Sequence, residues 1–203
     1  AWRGEYMDYI NILKDLSTYP GVSGREDKLC GHIAKMFEKY CDSVEIDDFY
    51  NVIGIKKGKS ASGRKIMVTA HLDEIGLMVK SIDKKGFVTV SNVGGVDSKI
   101  LLAQEVIIHG KKEIYGIIGA KPPHLLTPEE MKKAVKMEDL TIDTGLSAEE
   151  VRENVSVGDI VTFKVDPFEL QNSRFSSKSL DNRAGVAALL DIMENLTLLN
   201  HND

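Results

Sequence analysis

The chain has 203 residues, of which 42% are hydrophobic and 28% are charged, a balance typical of a globular protein with an apolar core. Its 26 basic and 31 acidic residues give a formal net charge of −5, whereas nucleic-acid-binding proteins usually carry a basic patch. No apolar run reaches the roughly 18 residues of a transmembrane helix. We therefore expect neither nucleic acid nor a membrane among its partners.

The first part of the chain predicts two helices, at 8–17 and at about 25–40, from the helical spacing of apolar residues. Ser23, with Glu26 three residues later, is a candidate N-cap for the second helix. That segment also carries both cysteines, whose separation of 11 residues corresponds to about 16 Å along a helix, too far for a disulfide. Two free thiols are typical of a cytoplasmic protein.

Strands follow the two helices. Residues 43–58 predict two short strands with a turn near Tyr50 and Asn51. The continuous apolar run "KIMVTA", residues 65–70, predicts a strand buried on both faces. From about residue 77 to 173 the chain is a series of short β segments separated by glycines, which is typical of a small barrel or sandwich.

Two short helices within this β region are predicted at "TPEEMKKAV" and "SAEEVREN", with Thr127 and Ser147 as their N-caps. Helical spacing returns from about 182 to 199. The order of elements predicts an α/β domain, residues 1–74 and 174–203, interrupted by an inserted all-β domain at 75–173.

His71, Asp73 and Glu74 interrupt an apolar stretch directly after the predicted strand 65–70. Ligands collect at the carboxyl ends of strands in α/β sheets. A neutral imidazole can bind a divalent metal through one nitrogen while a carboxylate orients the other, which is a role open to Asp73. A structural histidine beside a solvent-facing acid pair explains the same spacing.

Asp181, in "SLDNRAGVAALL", precedes a predicted helix whose first residues are small. A carboxylate in this position can bridge two metal ions about 3.5–4 Å apart, as in dinuclear hydrolases. It can equally be an ordinary N-cap of the helix. Arg183 is expected to support the local structure rather than to bind substrate.

Five separated segments together resemble one enzyme family: GVSGRE, TAHLDEIGLMV, VGGVDSKILLAQEVIIHG, GIIGAKPPHLL and SLDNRAGVAALL. The chain is similar to the metallo-aminopeptidases that include glutamyl aminopeptidase and the tetrahedral aminopeptidases, some of which have been labelled endoglucanases. The resemblance implies a phosphorylase/hydrolase-like zinc-peptidase domain of sheet and helices, incomplete here, with an inserted β-barrel used for dimerisation. It also implies peptide substrates and a homo-oligomer, either a dimer or a dodecamer.

The resemblance also implies the roles of individual residues. His71 would be a ligand of one of two divalent ions, zinc or cobalt, and Asp73 would be a catalytic residue that orients His71. Asp181 would bridge both ions, with a cis peptide bond to Asn182. Glu74 receives no role.

The family pattern continues beyond the motifs of this chain with a Glu-Glu pair, which supplies the general base and a further metal ligand. Since these residues have no counterpart here, we expect the 203-residue chain alone to bind metal weakly and to be inactive.

Three alternatives stay open: a glycoside hydrolase, a metal-dependent deacylase of N-acyl amino acids, and a non-catalytic oligomerisation module. A glycosidase needs two carboxylates that flank a sugar site.

Overall fold

The computed structural model describes residues 8–60, 63–122, 124, 127–129, 135–199 and 201. The chain folds into two compact units, the first made of Ala1–Glu74 with Asp166–Asp203 and the second of Ile75–Val165. The second unit ends before residue 173, where the sequence placed its boundary. The reason is that residues 168–176 form a hairpin of their own, from which Glu169 accepts a hydrogen bond from Lys14 of the first unit at 3.1 Å.

The helices of the described residues are α1 (Tyr9–Thr18), α2 (Asp27–Phe37), α3 (Ala148–Asn154) and α4 (Leu180–Leu198). The strands are β1 (Ser43–Ile46), β2 (Val52–Ile55), β3 (Gly76–Ile82), β4 (Val88–Val93), β5 (Glu105–His109), β6 (Glu113–Gly119), β7 (Thr141–Asp143), β8 (Ile160–Phe163), β9 (Phe168–Leu170) and β10 (Arg174–Ser176). The predicted helices at the start and end of the chain are confirmed, with their ends shifted by a few residues.

Three helices build the core of the first unit. Their apolar residues recur at helical spacing, so that each helix presents one apolar face to the others. The fully or nearly fully buried side chains of this core are Leu16, Leu29, Ile33, Phe37, Val186, Ala187 and Leu190. The antiparallel hairpin of β1 and β2 packs against α2, and Tyr50 adopts a positive φ of 63° in the predicted turn.

Both cysteines are free thiols, as the sequence predicted, although Cys41 lies beyond the end of α2 rather than within it. Cys30 is fully buried in the first unit. Burial, together with the negative charges of Glu26 and Asp27, raises the pKa of the Cys30 thiol to about 11. At neutral pH this thiol therefore stays protonated and unreactive.

The second unit is a closed barrel of six antiparallel strands in the order β3-β4-β7-β6-β5-β8, which confirms the predicted all-β insert. Its interior is filled by alternate residues of each strand, because successive side chains of a strand point to opposite faces. Gly116 of β6 faces Ile142 of β7, and a Cβ atom at Gly116 would lie 2.4 Å from the Ile142 side chain. The close approach of these two strands therefore requires glycine.

The two short helices predicted within the insert have different outcomes. Ser147 caps α3 as predicted: its hydroxyl accepts a hydrogen bond from the Glu150 amide at 3.3 Å, and the Glu150 carboxylate accepts from the Ser147 amide at 2.9 Å. The helix predicted to begin after Thr127 falls largely outside the described residues.

The prediction of a doubly buried strand at 65–70 is wrong for the described structure. Residues 63–73 form no strand, and the side chains of Ile66, Met67 and Val68 are 74%, 87% and 56% exposed. A strand needs a partner for its backbone groups, and within the described part of the first unit no strand pairs with residues 63–73. The described strands of this unit form only the hairpins β1–β2 and β9–β10. In the described part of this unit, the sheet of the predicted α/β domain is therefore limited to these two hairpins.

Within the part of the chain that the structure describes, no helix combines the length and the apolarity that a bilayer span requires.

Candidate functional site

His71 lies between two carboxylates in the first unit. Its Nδ1 is 3.1 Å from Oδ1 of Asp73, and its Nε2 is 3.1 Å from Oδ1 of Asp181. The side chains of His71, Asp73 and Asp181 are 55%, 37% and 96% exposed, respectively. The structure thus brings together the three site residues that the sequence predicted, although Asp181 lies 110 positions from His71 in the chain.

A loop near the N-terminus supports Asp73. The Ser23 hydroxyl donates a hydrogen bond to Oδ2 of Asp73 at 2.5 Å, which leaves Oδ1 for His71. The predicted N-cap role of Ser23 is wrong, since α2 begins at Asp27 with Glu26 in the N-cap position. The Glu26 carboxylate instead accepts from the Gly24 amide at 2.8 Å, so that it stabilises the loop that presents Ser23.

The start of α4 turns Asp181 away from the helix. The dihedral angles of Asp181 and Asn182 are non-helical, and the peptide bond between them is cis, as the resemblance implied. Oδ1 of Asn182, rather than Asp181, accepts a hydrogen bond from a helix amide, that of Gly185, at 3.2 Å. The N-cap alternative for Asp181 is therefore excluded, and its carboxylate is available to His71.

The small residues at the start of α4 have a steric role. A Cβ atom at Gly185 would lie 2.9 Å from Cβ of Ala70 and 2.4 Å from Oδ1 of Asn182. Both contacts are shorter than a carbon atom tolerates, so the backbone of α4 lies directly against the segment that ends at His71. This close approach brings the start of α4, which carries Asp181, beside the segment that carries His71.

Arg183 is fully buried, which confirms that it supports the structure rather than binding substrate. Its Nε donates to the Leu72 carbonyl at 3.0 Å, and one terminal nitrogen donates to the carbonyls of Leu16 at 2.7 Å and Tyr19 at 2.5 Å. The other terminal nitrogen lies 3.5 Å from a Glu74 oxygen. Burial lowers the pKa of the Arg183 guanidinium, and the Glu74 carboxylate opposes that shift.

The sequence left Glu74 without a role. As a whole residue it is 6% exposed, and its carboxylate lies at the centre of an ion cluster. Its two carboxylate oxygens accept hydrogen bonds from Lys178 Nζ at 2.8 and 2.6 Å, and one of them accepts from the Ser179 hydroxyl at 2.5 Å. Burial lowers the pKa of the Lys178 ammonium, and the negative charge of Glu74 opposes that shift. No sequence signal identified these partners, because they lie 104 and 105 positions from Glu74.

Within the described residues, no group of three or more His, Cys, Asp or Glu side chains is arranged to hold a metal ion. His71 and Asp181 therefore form a pair of candidate ligands rather than a full coordination shell, which takes about four ligands around zinc.

Comparison with known proteins identifies the family. Residues 51–202 match the family model of M42 glutamyl aminopeptidases. The chain belongs to this family. This confirms the resemblance drawn from the sequence motifs, and it places both the His71 segment and the start of α4 within the matched region.

Individual relatives agree with this assignment. The chain is 34% identical over 190 residues to a lysyl aminopeptidase of Pyrococcus furiosus, covering 91% of this chain and 54% of that protein. It is similar to a TET aminopeptidase from a Thaumarchaeota archaeon, with 35% identity and a TM-score of 0.87, covering 93% of this chain and 54% of that one. The chain thus spans about half the length of the curated relatives that it matches.

Two further solved structures carry different descriptions. The TET1 peptidase of Pyrococcus horikoshii, which can assemble into a tetrahedron or a large octahedral shell, has 34% identity and a TM-score of 0.80, covering 92% of this chain and 56% of that one. A protein of Thermotoga maritima described as an endoglucanase has 39% identity and a TM-score of 0.77, covering 90% of this chain and 54% of that one.

Replacing Arg183 with methionine is expected to lower the free energy of unfolding of the first unit by about 3 kcal/mol, because it leaves buried carbonyls and part of the Glu74 charge unpaired. Urea denaturation followed by helical circular dichroism measures this change. Arg25, an exposed arginine of the same unit, provides the control, and Arg25→Ala is expected to change stability by less than about 0.5 kcal/mol. Equal denaturation midpoints for the two variants would contradict the structural role of Arg183.

Proposed function

We propose that this chain carries the first part of the active site of a dinuclear metal-dependent aminopeptidase, which removes N-terminal residues from peptides. Family membership supports the hydrolase class, and the pairing of His71 with Asp181 carries the proposed chemistry. In this proposal His71 and Asp181 would hold the metal ions, with Asp181 shared between two of them, and Asp73 is the catalytic residue that orients His71. Zinc and cobalt both suit a site of imidazole and carboxylates.

The two carboxylate contacts of the His71 ring are compatible with a cation at this position. A neutral imidazole donates through one nitrogen and presents a lone pair on the other. If Asp73 accepts the Nδ1 proton, the lone pair of Nε2 is directed at the Asp181 carboxylate across 3.1 Å. Two electron-rich atoms at that distance repel each other unless a proton or a metal ion lies between them.

The spacing of these two atoms fits the proposed ion. Two ligands bound at about 2.1 Å to the same zinc ion are roughly 3.0–3.4 Å apart for angles between about 90 and 109°. The observed separation of 3.1 Å between Nε2 and Oδ1 lies within this interval. Bound divalent ions would supply Lewis acidity at the scissile carbonyl and a hydrolytic water that is active at neutral pH.

The residues of this chain orient the site. Ser23 and His71 both hold the Asp73 carboxylate, which fixes the direction of the imidazole ring. The turn at the start of α4 keeps Asp181 exposed and facing that ring. The general base of the proposed reaction is a glutamate of the family's Glu-Glu pair, which has no counterpart among the residues of this chain.

The glycosidase alternative is weaker. Asp73 and Glu74 are the adjacent acids that it would use, but the Glu74 carboxylate is buried against Lys178 and Arg183 rather than open to a sugar. The endoglucanase description of the Thermotoga maritima relative is the observation in its favour. A deacylase would use the same residues as an aminopeptidase, and substrate profiling separates these two activities.

We also propose that the second unit mediates homo-oligomerisation, as a dimer or within a dodecamer, in the cytoplasm. The ability of the Pyrococcus horikoshii relative to assemble into closed shells supports this proposal. Tyr115 and Ile117, on the outward face of β6, are 56% and 54% exposed and provide apolar surface for such a contact.

A longer protein that contains this chain is expected to release amino acids from aminoacyl p-nitroanilides, to lose activity with a chelator and to regain it with zinc or cobalt. His71→Ala is expected to lower kcat/KM by at least about 100-fold, and Asp73→Asn by about 10- to 100-fold, because the imidazole loses its orienting acceptor. Asp48, an exposed aspartate of the same unit, provides the control variant Asp48→Asn. Activity that is indifferent to chelator, or hydrolysis of carboxymethyl cellulose instead, would reject the proposal.

The purified 203-residue chain, by contrast, is expected to show no peptidase turnover above background. Two candidate ligands are too few for two ions, each of which needs about three to four protein ligands. The assay compares the folded chain with the longer protein at equal concentration and with added zinc or cobalt. Robust turnover by the chain alone would show that its own residues complete the site.

Size-exclusion chromatography with light scattering tests the oligomerisation proposal, and a mass of at least a dimer is expected for the chain. Replacing Tyr115 and Ile117 together with aspartate is expected to shift the mass to that of a monomer, since charges oppose burial of that face. Replacing the exposed Lys84 and Lys85 with aspartate in the same unit serves as the control. A strict monomer before any substitution would count against the proposal.

A further inference from the structure

Glu74 has no part in the reaction proposed above, yet its carboxylate is among the most enclosed charges of the first unit. Its side chain is 4% exposed. An ionised carboxylate in such a place is costly unless each lone pair finds a donor. The cost is met here by donors from several parts of the chain, and the positions of those donors relative to the candidate site point to a role.

Every described partner of the Glu74 side chain is a donor. The Gly21 amide donates to Oε1 at 3.1 Å, the Lys178 ammonium donates to both oxygens, and the Ser179 hydroxyl donates to Oε2. The Arg183 guanidinium lies 3.5 Å from Oε1. An ionised carboxylate accepts at both oxygens, whereas an amide of the same shape would turn an NH₂ group towards one set of these donors.

These contacts join three chain segments, and each segment carries a side chain of the candidate site. Glu74 follows Asp73 directly and lies three residues from His71. Its backbone amide donates to the Gly21 carbonyl at 2.8 Å, two residues before Ser23, which holds Asp73. Its side chain accepts a hydrogen bond from the hydroxyl of Ser179, two residues before Asp181. Ser179 adopts a positive φ of 61°, a strained conformation for serine that this hydrogen bond helps to maintain.

We propose that Glu74 is a positioning residue, which sets the separation between His71 and Asp181 by clamping the segment before Asp181 to the segment that carries His71. This inference rests on the proposed function, in which those two residues are metal ligands. The clamp acts through the backbone: it fixes the loop at Ser179 and thereby the direction in which Asp181 leaves the turn.

The charges of the cluster explain why this clamp requires the negative charge of Glu74. Lys178 and Arg183 are two buried or nearly buried cations, and Glu74 together with Asp73 supplies two anions. Loss of the Glu74 charge leaves the two cations unbalanced beside Asp73. Lys178 can then turn towards solvent, since it lies in the half-buried turn before α4, and this movement releases Ser179 from its position.

The test compares Glu74→Gln with the unsubstituted 203-residue chain, with cobalt(II) alone as the probe. Binding is followed by the visible absorption of cobalt and by calorimetry, and the proposal expects a dissociation constant raised by at least about tenfold, a typical effect of outer-shell substitutions. His71→Ala lacks one of the two proposed ligands, so its cobalt titration gives the background signal of a chain without the metal site. Ile33→Val and Ile33→Ala, in the core of the same unit, provide controls, one of which is chosen to match the stability loss of Glu74→Gln.

If Glu74 acts only through the stability of the unit, the Ile33 variant of equal stability loses as much cobalt affinity as Glu74→Gln does. That result would overturn the proposal. An unchanged dissociation constant in Glu74→Gln would also overturn it. If the unsubstituted chain and His71→Ala show the same cobalt titration, the proposed metal site fails in this chain. The clamp is then decided by a measurement that needs no metal.

That measurement is the NMR spectrum of the His71 ring at constant pH, with Asp181→Ala as the reference for an imidazole that has lost its Asp181 neighbour. The clamp predicts that the ring signals of Glu74→Gln move from the unsubstituted positions towards those of Asp181→Ala. It also predicts that the stability-matched Ile33 variant keeps the unsubstituted positions. Ring signals in Glu74→Gln that coincide with those of the unsubstituted chain would overturn the positioning role.

Discussion

The burial of charge around Glu74 and Arg183 is the constraint on which the rest of the first unit depends. A buried guanidinium is tolerated because three backbone carbonyls accept its protons and a carboxylate lies nearby. Those carbonyls belong to the end of α1, the loop after it, and the segment between His71 and Asp73. The geometry of the candidate site is therefore tied to the same polar contacts that hold the helices and loops of this unit in place.

The site combines a rigid support with exposed reactive groups. Glu74 and Arg183 are buried, whereas His71 and Asp181 are open to solvent. A functional group keeps its direction when neighbours lock its backbone and side chain, and it remains able to bind a ligand when its own polar atoms are accessible. In this unit the two properties are divided between neighbouring positions of one segment, with Asp73 facing the histidine and Glu74 facing the interior.

The sequence predicted the reactive residues better than their support. His71, Asp73 and Asp181 belong to motifs that family resemblance interprets directly, whereas the pairing of Glu74 with Lys178 depends on a contact across 104 positions that no local pattern encodes. The strand expected at 65–70 was wrong because an apolar run specifies a strand when a neighbouring strand is present to pair with it.

The hydrogen bond from Arg183 to the Leu16 carbonyl spans 167 positions, and most of that interval is the barrel of residues 75–165. During synthesis the ribosome releases the whole barrel before Arg183 emerges. The barrel closes through contacts within its own residues, whereas the first unit also needs the contact between Arg183 and Leu16. Closing a loop between residues that are far apart in the chain slows folding. The order of the chain therefore favours folding of the inserted barrel first, while the segments before and after the barrel complete the candidate site later.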